Sequence, residues 1–211
     1  MHSGKYIFAQ LIEFLPQKYF QRLVIKYEGD KYVKHFTCWN QLLIMMFGQL
    51  SNRDSLRDLT NTISAHTNKT YHLGFSKNVS RSNLSKVNER REPKIFEDFA
   101  YHMIGIARKK RISKDFEIEG QVYAFDSTTI DLCLNVFWRA KFRHTKAGIK
   151  MHTLFDVEMQ IPTFIHITEA KVHDVNVMDI IPYETGAYYI FDRGYYDLKR
   201  LYHINKTRWR N

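Results

Sequence analysis

Cysteine is nearly absent. Cys38 and Cys133 lie far apart, with no metal-ligand spacing between them, which leaves two buried thiols in a reducing compartment as the reading. Long apolar runs are lacking too. The longest, 42–47, is a turn and a half of helix, against the roughly 18 residues a membrane span needs. The N-terminus, MHSGKYIFAQLIEFLPQ, lacks a signal peptide's order of basic stretch, apolar stretch and small-residue cleavage site, and Glu13 interrupts its apolar part. A cytoplasmic protein with no membrane partner is expected. There is no low-complexity segment and no internal repeat.

What is present describes a folded chain. Apolar residues make up 44% and aromatics 15%, and 211 residues suit one large domain or two small ones. The net charge of +10 is unevenly placed. Residues 1–115 hold 20 Lys/Arg against 10 Asp/Glu, whereas 116–211 hold 12 of each. A basic half beside a neutral half points to a polyanion-binding module joined to a second functional module, with nucleic acid as the polyanion.

The two halves also differ in texture. Before residue 112, apolar residues recur at helical spacing. The pattern predicts helices over 7–15 (stopped by Pro16), 17–26, 38–50 with Thr37 as cap, 54–63 capped by Ser51 or Asp54, and 81–91 capped by Ser80 or Ser82. A long helix then runs from Pro93 to about Arg111, and 65–79 reads as loop. In the 81–91 helix, Leu84 and Val87 face inward, while Arg81, Asn83, Lys86 and Arg90 fall on the polar side. These side chains can donate to phosphates and base edges, so the pair 54–63 and 81–91 is compatible with a helix-turn-helix-like DNA reader. The connection of about 17 residues is long for that motif, and an ordinary solvated helix face fits as well.

After residue 112, short β-rich runs alternate with turns. Strands are expected over 121–127, 149–157 and 163–169 as an antiparallel meander, then a short helix at 174–181 begun by Asp174, a buried strand at 187–191, and a helix over 196–204. Two strands end in aromatic and aliphatic residues followed by an acid: Asp126 after YAF, and Asp192 after YYIF. A charge at the tip of a buried strand is costly unless compensated, and a divalent cation compensates it directly. Two carboxylates on neighbouring strands can hold Mg²⁺, and with a third they can hold two metals for in-line attack at phosphorus. Turn capping by such aspartates is the simpler reading for either one alone.

The strings YAFDSTTIDLC, KAGIKMHTLFDV, ITEAKVHDVNVMD and YYIFDRGYYD, in this order, resemble the catalytic domain of bacterial DDE transposases of the insertion sequence 4 family. The resemblance covers about 121–205, and the first 100 residues are similar to the helical domain that often precedes it. It implies an α+β chain: an all-helical basic DNA-binding domain over 1–115, then a ribonuclease-H-like mixed sheet over 116–211. It maps the first two catalytic, metal-holding aspartates to Asp126 and Asp192 and implies Mg²⁺ or Mn²⁺ as cofactor. Its partners would be double-stranded DNA (terminal inverted repeats and target) and a second copy in a synaptic homodimer, in a nucleoid-associated bacterial setting. The family's third ligand is a later Glu. Nineteen residues follow Asp192 and none is Glu, so an incomplete sheet and an inactive fragment are expected.

Lys146 and Lys150 are candidate contacts to DNA near the carboxylates, or else solvated strand-edge lysines. The 138–146 stretch mixes aromatics with cations, which suits strand-end contact or a surface loop. His152, His166 and His173 sit on separate elements and read as satisfied or surface histidines. Asp131 reads as a neighbour of Asp126, and Asp197 as a helix cap or surface acid. Two further readings stay open: a non-catalytic DNA-binding protein that occupies transposon ends or inhibits full-length transposase, and a metal-dependent nuclease using the same aspartates.

Overall fold

In the computed structural model, which describes residues 6–75, 79–110, 120–132, 141–143 and 146–208, three helices of the first half begin where a short hydroxyl side chain caps them. The first half holds α1 (Ile7–Ile12), α2 (Gln17–Lys26), α3 (Cys38–Leu50), α4 (Leu56–Ala65), α5 (Thr67–Thr70), α6 (Arg81–Arg90) and α7 (Lys94–Lys110). The Thr37 hydroxyl accepts from Asn40 N–H at 3.3 Å, and Ser80 does the same for Asn83 N–H at 3.3 Å. The α4 cap is Ser55, which accepts from Asp58 N–H at 3.1 Å, in place of the expected Ser51 or Asp54. The expected loop at 65–79 instead folds in part as α5 and a 3-10 turn, Tyr71–Leu73, closed by Gly74 in the left-handed region. Its Thr residues bond locally: Thr70 Oγ1 donates to Thr67 C=O at 2.8 Å.

The chain divides into two compact units, Met1–Met103 and Ile104–Asn211, with the division inside α7. The first unit has two apolar clusters. Phe8, Leu43, Ile44, Leu59, Ile63 and Leu84 join α1, α3, α4 and α6, while Phe20, Leu23, Val24, Cys38, Ile95 and Phe99 join α2, α3 and α7. Cys38 is fully buried, and burial pushes its thiol up to about 12, so it stays a packing residue. Cys133 lies outside the described residues.

The second unit is built on a mixed sheet of β1 (Val122–Leu132), β2 (Lys141–Arg143), β3 (Lys146–Asp156), β4 (Ile161–Glu169) and β5 (Tyr188–Phe191). β3 lies antiparallel between β1 and β4, which is the expected meander, and β2 adds at the start of β3. β5 pairs parallel to β1 on its other side. One face is covered. Tyr123, Phe125 and Leu154 pack there against Val177, Met178 and Ile181 of the 3-10 segment Asp174–Ile180 and its end, and against Tyr195. Leu201 and Ile204 of α8 (Leu198–Arg208) flank that core. Ile130, Ile167, Tyr188 and Ile190 are exposed.

Three expectations change here. β1 does not end at Asp126 but continues six residues further, to Leu132. β5 is not buried on both faces: Tyr188 and Ile190 are exposed while Tyr189 and Phe191 are partly covered, the period-two pattern of a strand with one packed face. The residue at the start of the 174–180 segment is His173, which makes no side-chain cap bond, and Asp174 is turned to other partners.

Candidate active site and DNA-facing helix

The β1/β5 ladder fixes the relation of the two aspartates. Its last registered pair is Phe125↔Phe191, so Asp126 and Asp192 follow one step later on parallel neighbours about 4.8 Å apart. Phe125 and Phe191 pack into the covered core, and the alternation turns both acids away from it. Both acids are exposed, not buried. Desolvation is therefore not what distinguishes them; shared position is. Asp126 Oδ1 accepts from Ser127 N–H at 2.7 Å, and Asp192 Oδ1 accepts from Gly194 N–H at 3.2 Å, where Asp192 caps the 3-10 turn Arg193–Tyr195. No salt bridge engages either acid among the described residues.

Hard carboxylate oxygens on neighbouring strands, one within β1 and one just past β5, suit a hydrated Mg²⁺ or Mn²⁺. Among the described residues no group of three His, Cys, Asp or Glu side chains that could hold a metal comes together. The side chain of Asp131 lies outside the description. Asp197 is placed as a helix cap: its Oδ1 accepts from Arg200 N–H at 3.0 Å, and Arg200 also bridges to Asp179 at 2.9 Å.

Behind the acids, on the covered face, lies a buried polar cluster that the sequence did not announce. Lys150 Nζ pairs with Asp174 Oδ1 at 2.9 Å and donates to Val172 C=O at 3.0 Å. His152, fully buried, bonds Thr168 Oγ1 at 2.9 Å and places Nδ1 3.9 Å from Asp174 Oδ1. Burial pushes the His152 imidazole below its ordinary range, with Asp174 opposing and Lys150 and His166 reinforcing. The Tyr195 hydroxyl is buried and makes no hydrogen bond of good geometry. Burial holds that phenol above its usual range; nearby Ser127 opposes the shift, and Asp174, Asp126 and Asp192 add to it. The cluster was illegible because it depends on register: Ser127 faces His152 and Thr129 faces Lys150 across β1 and β3.

Lys150 is thus committed to an internal ion pair, with 15% of its side chain exposed. Lys146 starts β3, and its side chain lies outside the described residues, as do Trp138 and Arg139. His166 sits opposite His152 across β3 and β4, and His173 is exposed.

A His152 neutral when folded and protonated when unfolded implies a pH response. Because the folded-state value is depressed, its contribution to stability is present above the unfolded value near 6.5 and is lost as pH falls through the folded value. We expect thermal stability to fall below about pH 6.5, and this acid sensitivity to shrink in His152→Gln. An unchanged pH–Tm profile in that variant would refute this role.

In the first unit, α6 carries Arg81, Asn83, Lys86 and Arg90 exposed along its length, while Leu84 is buried against α4 residues Leu59 and Ile63. Asn88 accepts from Gln41 Nε2 at 2.6 Å and ties α6 to α3. Among the described residues, no helix is long and apolar enough to cross a membrane.

Comparison with known families separates the same two parts. Residues 3–76 match a family model described as "Domain of unknown function (DUF4372)", and residues 117–210 match one described as "Transposase DDE domain". The chain is 32% identical over 114 residues to the "Putative transposase y4zB" of Sinorhizobium fredii (strain NBRC 101917 / NGR234). That alignment covers 53% of this chain and 30% of the relative, so the chain spans under a third of the relative's length.

Proposed function

We propose that this chain is a DDE transposase polypeptide of the insertion sequence 4 type, whose sheet unit is ribonuclease-H-like and whose basic half (1–115) grips the element's terminal inverted repeats. The observation that carries the reading is that Asp126 and Asp192 each directly follow a member of the last registered β1/β5 pair, Phe125↔Phe191, within residues matching the transposase DDE domain. A bound Mg²⁺ or Mn²⁺ would supply nucleophile activation and leaving-oxygen stabilisation in phosphodiester cleavage and strand transfer. The chain's own residues hold that ion by the two carboxylates. The Arg193–Tyr195 turn fixes the Asp192 oxygen through Gly194 N–H, and Tyr195 anchors the turn in the core. Double-stranded DNA is the partner, ends and target alike, with two copies meeting in a synaptic complex.

Among the described residues the proposed site has two carboxylates, Asp126 and Asp192, where two-metal chemistry uses three. With Mg²⁺ or Mn²⁺ and end-bearing DNA, this 211-residue polypeptide is expected to give little or no cleavage. Robust cleavage that Asp126→Asn abolishes would overturn that expectation. Mn²⁺ binding, followed by electron paramagnetic resonance, should weaken by about tenfold or more in Asp126→Asn and equally in Asp192→Asn. Loss in only one variant would separate the acids into different sites. A second reading, a DNA-binding protein that occupies transposon ends or inhibits full-length transposase without catalysis, is favoured by the absence of a three-ligand group among the described residues.

A further inference from the structure

The turn after α2 presents one aromatic ring to solvent under backbone strain. Val33 N–H donates to Asp30 C=O at 3.0 Å, closing a turn whose third residue is Tyr32. Tyr32 has φ +61°, in the left-handed region that a bulky residue seldom adopts, and its side chain is 92% exposed. Among the described residues neither packing nor a hydrogen bond of its side chain compensates the strain, and glycine would adopt the same backbone freely. Lys31 Nζ stands 5.9 Å from the ring and pairs with Glu28 Oε2 at 2.8 Å, and Lys34 and His35 are exposed just beyond it.

The turn is held firmly from beneath. Asp30 closes it with its carbonyl and also uses its carboxylate: Oδ1 accepts from Cys38 N–H at 2.7 Å and pairs with Arg91 Nη2 at 3.4 Å. Arg91, 7% exposed at the side chain, also donates to Phe36 C=O and to Gln41 Oε1 at 3.0 Å. Arg91 is the residue that ends α6, directly after exposed Arg90. The ring is therefore attached, through one buried guanidinium, to the C-terminal end of the helix proposed to face DNA.

We propose that Tyr32 is a stacking platform for an unpaired nucleobase, carried at a fixed position relative to α6. An exposed ring beside the exposed Lys34 gives what an unstacked nucleotide needs: a π face for the base and a cation for its phosphate. A protein partner would ask for neighbouring apolar area, and the flanking Lys31 and Lys34 supply charge instead. The idea rests on the DNA-binding reading above.

The test uses the full chain and two short duplexes, one perfectly paired and one with a single unpaired 2-aminopurine. The wild type should bind the bulged duplex about tenfold more tightly and quench its fluorescence. Tyr32→Ala should bind both duplexes alike without quenching, and Tyr32→Phe should keep the preference. Tyr32→Gly should raise Tm while losing the preference, since it removes ring and strain together. Equal wild-type binding of the two duplexes, or a preference that survives Tyr32→Ala, overturns the stacking role alone. Failure of the wild type to bind either duplex removes the DNA-binding reading and this one with it.

Discussion

Raising the salt from about 50 to about 200 mM should loosen DNA binding by roughly a thousandfold, the loss expected when some five or six phosphates are neutralised. The charge distribution sets this expectation, because the whole +10 excess lies in residues 1–115. Arg81, Lys86 and Arg90 are exposed along α6, and none of them forms a salt bridge among those found for the described residues. Replacing all three by Ala in the full chain should flatten the slope of log K against log salt by about three, near one per lost contact. Lys150 makes the contrast. Its ammonium is held by Asp174 and Val172 C=O, so Lys150→Ala should lower stability and leave the slope unchanged. A slope unmoved by the triple α6 variant would place the polyanion elsewhere and refute the assignment of α6.

The second large effect concerns stability. Asp30→Ala should destabilise the helical unit by about 3–5 kcal/mol, the cost of leaving a buried charge without its partner. Arg91 would keep Gln41 Oε1 and Phe36 C=O but lose its carboxylate, and Cys38 N–H at the start of α3 would lose its acceptor. Arg91→Met alone should also destabilise, since Asp30 then keeps only the Cys38 bond. The double variant should cost well below the sum of the singles, because each single strands the other's polar group. Denaturant unfolding of the four proteins measures this coupling. Strict additivity would show that the two groups act independently despite the 3.4 Å contact.

Much of the helical half was legible because its signals are local. Thr37 before CWNQLL and Ser80 before RSNL are short-range cap statements, and α2, α3 and α6 lie where spacing put them. The α4 start was missed by four residues at most because Ser51, Asp54 and Ser55 all have acceptor side chains, and only backbone geometry chooses among them. In the sheet, the antiparallel meander was readable from alternation, but β2, the parallel pairing of β5 with β1 and what register decides were not. That Asp126 lies within an 11-residue strand depends on the β3 partner extending to Ala147, far from Asp126 in sequence. The exposure of both acids depends on which face the 174–180 segment covers. The polar cluster of Lys150, His152, Thr168 and Asp174 joins residues whose contact only pairing reveals.

The parallel pairing of β1 with β5 also bears on the order of folding. β3 and β4 close through a short turn at Val157–Gln160, and β3 follows β1 closely in sequence, whereas Val122 must find Tyr188 across most of the unit. Contacts so distant along the chain are slow to form, because chain entropy is lost before they reward it. On this ground Asp126 is expected to take its place early, with the antiparallel ladder, and Asp192 with the last strand. The proposed two-carboxylate site would then come into being late in folding, and a nascent chain that has not yet laid down β5 would carry one half of it.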